Sequence, residues 1–399
     1  MGAEKDIRYC SKCLYPVISV NLMLNDDGVC NACLVQEEFN QITEEFWRKK
    51  AERFKELAEK AKQKSTSNYD CIVPVSGGKD SYFQVHKALE YGLKPLLVTY
   101  HGNNYLPEGQ RNLDRMRQEL NVDHIVFGPS VDTLRKLNRG CFEMMGDMNW
   151  HAHAGIKTYP MHIATKLQIP LVIWGEITWS VAGMFDPDDY VQYSKRTVFE
   201  HDMRGYTKDD MVRRIPGLTE KDLAWLSMPS DQEIAEAGTV GVYIGNFFKW
   251  DPNEHAYMMR EKYGFEFAAE PFERTYRTMS NLDDMHENGA HDYLKFIKFG
   301  YGRATDHCCK DIRSGYMKRV EGIEIVKRMD HVKPRDLKRW YSYVDMSEKE
   351  FDRIADTFRD PRVWWIENGQ WYKQNVWGEP SAYGSVKLEK ELWTKYTKG

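Results

Sequence analysis

An apolar run over residues 70–75 breaks off at Ser76-Gly77-Gly78-Lys79-Asp80-Ser81, and an amphipathic stretch from Tyr82 to Tyr91 follows at once. Strand, short loop and helix start come in immediate succession, which commits this part of the chain to layered α/β packing. Gly77 and Gly78 let the main chain take angles other residues avoid and approach a ligand closely. The N–H groups at the helix start then face an anion, and the helix dipole favours negative charge there. Ser76 and Ser81 add hydroxyl donors, and Lys79 adds a point charge. The loop reads as a cradle for phosphate, although it lacks the spacing of a Walker A loop. Asp80, in the first helical turn, either ligates Mg2+ or complements the dipole.

Strand and helix signals go on alternating beyond the loop. Leu96–Tyr100, His124–Phe127 and Pro170–Glu176 read as strands, and Gln110–Leu120 and the stretch from Val131 read as helices. This alternation predicts a doubly wound parallel sheet. Ligands of such sheets sit at the carboxyl ends of the strands. The ends at Ser76–Ser81, His101–Asn104, Gly128–Ser130 and Gly175–Glu176 are therefore expected to converge. Gly175 and Glu176 are candidate nucleotide contacts, with Glu176 either holding Mg2+ on the phosphates or capping the next helix. His151-Ala152-His153, if extended, puts two imidazoles on one face. Both are candidate substrate contacts, and satisfied structural histidines are the competing reading.

The chain has eight cysteines among 399 residues. Cys10-x-x-Cys13 and Cys30-x-x-Cys33 are sixteen residues apart, which fits a paired zinc knuckle. Four thiolates complete a tetrahedron and leave no open position, so a structural Zn2+ is expected there. Asn25-Asp26-Asp27-Gly28 between the pairs signals a hairpin turn. Residues 37–64 follow as one charged helix with an apolar stripe. The formal net charge of −4 gives no global basic field for nucleic acid. No apolar run has the length of a membrane span, and the charged start, Met1 to Tyr9, lacks a signal core, so a cytoplasmic location is expected.

The loop resembles the PP-loop of the ATP pyrophosphatase superfamily, whose hallmark is Ser-Gly-Gly-x-Asp-Ser after a strand. The Cys-x-x-Cys pairs, Trp150-His151-Ala152-His153-Ala154-Gly155-Ile156, Trp174-Gly175-Glu176 and Gly300-Tyr301-Gly302-Arg303-Ala304-Thr305-Asp306-His307 narrow that likeness. Together they resemble the N-acetyl sugar amidotransferase family over nearly the whole chain. Its members act in bacterial surface-polysaccharide (LPS O-antigen) and flagellin-glycan pathways. The resemblance implies four parts: a zinc ribbon (1–40), a linker helix (41–68), an ATP pyrophosphatase domain (69–250) and a mainly helical substrate or partner region (251–399). It also implies ATP and Mg2+ as cofactors and a nucleotide sugar as substrate, whose acetamido group becomes acetamidino through an O-adenylyl imidate. Lys79, Asp80, Arg303 and Asp306 are the candidate catalytic residues, with Tyr301 and Arg313 as candidate substrate contacts.

Ammonia must come from elsewhere. Gly2 stands where an N-terminal nucleophile would need Cys, and Arg139-Gly140-Cys141-Phe142-Glu143 lacks the second glycine of a nucleophile elbow. The resemblance implies a separate glutaminase, similar to the glutaminase–cyclase pair of histidine biosynthesis. Two rivals remain. A tRNA-thiolating enzyme would share the zinc module and PP-loop and use Cys141 or Cys308-Cys309. A scaffold with a degenerate loop would not turn over ATP.

Overall fold

The computed structural model describes residues 7–175, 195–279 and 285–397. Its centre is a five-stranded sheet in the order β3-β2-β1-β4-β5, with β1 at Cys71–Pro74, β2 at Pro95–Tyr100, β3 at Asp123–Phe127, β4 at Leu171–Trp174 and β5 at Val240–Tyr243. Every pairing is parallel, with Ile72 opposite both Leu96 and Val172. The order reverses at β1, so the loop after β1 opens at the topological switch point where doubly wound sheets bind ligands. The predicted α/β class holds. β5, whose short run Val240-Gly241-Val242-Tyr243 gives little signal, is an addition to the strands expected.

Both faces of the sheet are buried, which is why its strands read as continuous apolar runs. Cys71 and Val73 face helices α2 (Glu44–Lys64), α3 (Lys79–Glu90) and α4 (Pro107–Glu119), through Phe54, Tyr82 and Met116. Ile72, one residue out of phase, faces α5 (Val131–Met145) and α6 (Trp150–Lys166), through Leu137, Trp150 and Met161. Gly155 lets α6 lie against β2, since a Cβ there would come within 2.8 Å of the Tyr100 ring.

The helix expected over 37–64 is two helices. α1 (Asn31–Gln41) ends at Ile42, and Thr43 starts α2 by accepting a hydrogen bond from the Phe46 N–H. Residues 151–153 lie in α6 and not in an extended segment, so the two imidazoles leave in different directions.

The later part holds α7 (Lys208–Arg214), α8 (Asp231–Ala237), α9 (Pro252–Tyr263), α10 (Glu287–Phe299), α11 (Arg303–Arg313), α12 (Arg319–Met329), α13 (Leu337–Val344) and α14 (Glu348–Thr357). It is mainly helical, as expected, and also carries a small antiparallel sheet of Trp364–Glu367, Gln370–Lys373 and Ser381–Ser385. Its first two strands turn at Asn368-Gly369, both with positive φ. The tryptophans at 364 and 371 fill the core beneath that sheet with Phe296 and Phe351. Among the described residues no helix is long and apolar enough to cross a membrane.

Candidate nucleotide cleft and cysteine centre

Ser76, Gly77 and Gly78 connect β1 to α3. The Ser76 N–H donates to Ser81 Oγ at 3.0 Å, and the Gly78 N–H to Ser76 Oγ at 3.4 Å, so the two serines pin the loop to the first helical turn. Gly77 has φ +94, and a Cβ there would lie 2.9 Å from the Leu113 backbone nitrogen. Above the loop lies a cavity of about 180 Å3 lined by Ser76, Ser81, Gln84, Tyr100, Gly102, Lys157, Trp174 and Gly175. The carboxyl ends of β1, β2 and β4 thus converge as expected. Gly128–Ser130, after β3, is not part of this lining, and Glu176 lies outside the described residues.

Lys79 and Asp80 open α3 after the loop, and neither is in the lining of the cavity. The Lys79 side chain is fully buried, with Nζ 3.0 Å from Asp80 Oδ2. Burial alone would raise the Asp80 carboxyl, but Lys79 and His255 beside it hold it well below the usual carboxylate range. His255 Nδ1 stands 3.8 Å from Asp80 Oδ1, and its ring stacks on Phe83 at 3.6 Å. Neither Asp80 Oδ1 nor His255 Nδ1 has a hydrogen-bond partner, and the same holds for Gln84 Oε1 and Trp250 Nε1. A buried polar atom without a partner costs about 1–3 kcal/mol, so their grouping behind a phosphate loop marks places for a ligand or ion. Asp80 Oδ1 is a carboxylate donor that suits a divalent cation.

Lys157 is the cation that lines the cleft itself. It reaches over the Trp174 ring at 4.6 Å and the Tyr243 ring at 5.5 Å. It follows His153 by one helical turn. Gln84, one turn after Asp80 on α3, could have been found by the same helical spacing. Nothing in the sequence pointed to His255 or Trp250.

His151 is engaged at both ring nitrogens, by the Tyr100 hydroxyl at 2.9 Å and by Asn138 Nδ2 at 3.0 Å. Burial holds its imidazole down to about 4. His153 faces His291 at 6.0 Å, and burial, with Arg204 adding to it, pushes it down to about 3. Both rings are therefore neutral at pH 7.

Arg303 and Asp306 lie in a buried ion network and not in the lining of the cleft. Arg303 makes a bidentate pair with Asp292 (Nε and Nη2 at 2.8–3.1 Å), and Asp306 accepts from Lys295 at 2.6 and 2.8 Å and from the Tyr15 hydroxyl at 2.9 Å. Tyr301 is buried edge-on to Tyr15, with Lys295 over its face at 4.6 Å. Arg313 lines a separate cavity beside α1 and α9.

The four N-terminal cysteines are the metal-type cluster among the described residues, with all four Sγ atoms within 4.8 Å of one another. Cys10 and Cys33 are 3.9 Å apart, and Cys13 and Cys30 are 3.7 Å apart. A tetrahedral Zn–S bond of about 2.3 Å requires S···S edges of about 3.8 Å, so the set fits zinc. Gly28 (φ +74) closes the hairpin between the pairs, with its N–H donating to Asn25 O at 3.0 Å. By contrast, Cys141 and Cys308 are buried, and burial pushes both thiols up. Neither has the thiolate character that sulfur transfer needs.

A phosphate-type loop at the switch point of a doubly wound sheet, a four-thiol ribbon and a helical later region define the class of protein. Residues 244–376 match the family described as LPS biosynthesis protein WbpG-like, C-terminal domain. The Gly300–His307 block lies inside it, and the resemblance read there is borne out. No curated protein matches the chain. Among solved structures, NMN synthetase from Francisella tularensis is 14% identical over 56% of this chain and 98% of its own, with a TM-score of 0.28. The NH3-dependent NAD synthetase from Campylobacter jejuni subsp. jejuni is 13% identical over 48% and 91%, with a TM-score of 0.27. A predicted subunit of tRNA methyltransferase from Methanocaldococcus jannaschii is 14% identical over 58% and 87%, with a TM-score of 0.26. At these scores the superpositions carry no argument, and strand order and register carry the fold.

Proposed function

We propose that the protein is an ATP-dependent amidotransferase of LPS biosynthesis that turns an acetamido group of a nucleotide sugar into an acetamidino group. The observation that carries this reading is the union, in one chain, of a Ser-Gly-Gly-Lys-Asp-Ser loop opening into a cleft and a WbpG-like domain at 244–376. The amide oxygen attacks the α-phosphorus of ATP. An O–P bond forms, the bond to the β-phosphate breaks, and pyrophosphate leaves. Ammonia then adds to the imidate carbon, the C–O bond breaks, and AMP departs with the former amide oxygen. The loop N–H groups, Ser76, Ser81 and Lys157 would hold the phosphates, and buried Lys79 adds positive potential. A divalent cation at Asp80 Oδ1 would neutralise charge on the departing pyrophosphate. Ammonia is expected from a partner glutaminase.

The test supplies Mg-ATP, ammonium chloride and UDP- or CMP-linked acetamido sugars carrying 18O in the amide. The expected result is a sugar about three mass units lighter than its labelled substrate, 18O having been exchanged for NH, with the label recovered in AMP. AMP without label, or no change in any sugar, refutes the reading.

A further inference from the structure

A second cavity, of about 220 Å3, lies between α1, the start of α9 and the end of α11. Gln36, Phe39 and Asn40 of the ribbon helix form one wall. Trp250, Arg313 and Gly245 also line the cavity. Apart from the ribbon helix, all its lining falls within the WbpG-like segment. A bare phosphate-loop domain could not form it.

Arg313 gives the cavity its chemistry. Its side chain is about nine-tenths buried (9% exposed), and Nη1 has no hydrogen-bond partner. The guanidinium rests on the Tyr15 ring at 5.6 Å. The carboxylates that share the lining are mostly engaged elsewhere. Asp311 takes Arg277, the Tyr276 hydroxyl and Asn253, and Asp251 caps α9 and accepts from Tyr316 at 3.0 Å. Exposed Glu254 and Lys249 also line the cavity. Arg313 lines the cavity while its buried Nη1 lacks a partner, and a phosphoryl oxygen would satisfy that charged donor, which is costly to leave unpaired.

This cavity shares a wall with the nucleotide cleft. The Gly245 N–H donates to Gly175 O at 3.4 Å, and Gly175 lines the cleft. A Cβ on Gly175 would lie 2.8 Å from Gln84 Nε2 and 3.7 Å from the Trp250 ring. The partition is therefore one glycine, one glutamine and one indole, and it carries the unpartnered Gln84 Oε1 and Trp250 Nε1.

We infer that the second cavity binds the phosphate of the acceptor, with Arg313 Nη1 donating to a phosphoryl oxygen, and that the acceptor reaches the cleft across the Gly175–Gln84–Trp250 partition. Naming that acceptor a nucleotide sugar rests on the amidotransferase reading; the anion site does not.

The test titrates UDP and uridine into the full zinc-loaded chain with a non-hydrolysable ATP analogue and Mg2+ present, and measures zinc content in parallel. UDP should bind and uridine should bind at least about tenfold more weakly. Arg313→Gln should weaken UDP by about tenfold to a hundredfold, the scale of a charge-assisted hydrogen bond. Asn40→Trp, which fills the cavity from the ribbon side, should do the same with zinc retained. Equal affinity for UDP and uridine, or unchanged affinity in either variant, overturns the proposal. So does loss of zinc in Arg313→Gln with normal UDP binding by Asn40→Trp, which would make Arg313 a counter-charge for the ribbon thiolates. Because binding is read without turnover, Arg313-dependent UDP binding with no AMP release from any acetamido sugar would sink the amidotransferase reading alone.

Discussion

Replacing Gly77 by alanine separates the geometry of the loop from its chemistry. At φ +94 an L-residue pays roughly 1–2 kcal/mol for the left-handed region. The new methyl would also sit 2.9 Å from the Leu113 nitrogen and 3.0 Å from its Cα, and backbone cannot rotate away as a flexible side chain can. Overpacking of that kind costs about 1–3 kcal/mol. The sum is about 2–5 kcal/mol, which lowers a urea midpoint by about 0.5 M or more. Gly78 is the internal control. It has ordinary extended angles (φ −71, ψ 163), and a Cβ there meets only Ser76 Oγ at 3.5 Å, so Gly78→Ala should stay within about 1 kcal/mol of the parent. The assay is urea unfolding followed by far-UV circular dichroism on the three proteins. Equal midpoints for the two variants would refute the argument, since it rests on the asymmetry between adjacent glycines.

Lys157→Ala should lower kcat/KM for AMP formation by about tenfold or more with an unchanged unfolding midpoint, because its Nζ lies over the Trp174 and Tyr243 rings at the cleft; unchanged kinetics would remove it from the site. Cys13→Ser should take the zinc content from about one ion per chain to near zero by mass spectrometry, and should make the ribbon the first segment cut by a protease. Burial raises the Glu287 carboxyl from 4.5 to about 7, against the hydrogen bond from Asn104. Between those values the native state holds the proton and the unfolded chain has lost it, so stability falls as pH rises through this window, by about 3 kcal/mol in all. Glu287→Gln should flatten that fall in urea titrations from pH 4.5 to 8. Removing Arg303 alone should cost about 3–5 kcal/mol by stranding buried Asp292, and Arg303→Met with Asp292→Leu should recover most of it; recovery of AMP release in the double variant would assign the pair to structure and not catalysis.

The sheet was legible because strands buried on both faces leave continuous apolar runs, and Ser76–Ser81 was legible because its glycines and hydroxyls are adjacent in the chain. The Cys pairs were legible for the same reason of fixed local spacing. What needed the structure was long-range. His255 meets Asp80, Trp250 meets Gln84 across Gly175, and α1 closes a cavity with Arg313, all between segments far apart in sequence. Asn368-Gly369 was a readable hairpin signal hidden among tryptophans that suggested only core. His151-Ala152-His153 misled because its three residues suit a strand as well as a helix, and only the length of the surrounding segment, 17 residues in α6, decides.

The charged block at 300–307 shows why a motif's residues need not share its chemistry. Arg303 and Asp306 draw their partners from three elements: Asp292 and Lys295 on α10, each other on α11, and Tyr15 on the ribbon. The ribbon's thiols share an apolar cluster with Tyr301, Cys308 and Cys309, and Arg319 donates to the Cys13 carbonyl at 3.0 Å. On the other side, Tyr100, His151, Asn138 and Trp340 form a hydrogen-bonded chain from the cleft wall to α13. The ribbon and the helical region are thus fastened to each other and to the carboxyl end of the sheet by buried polar links, which tolerate little displacement because each broken link strands a group away from water. A loose appendage would not need such fastening. A wall that must hold an acceptor in register with a phosphate one partition away would.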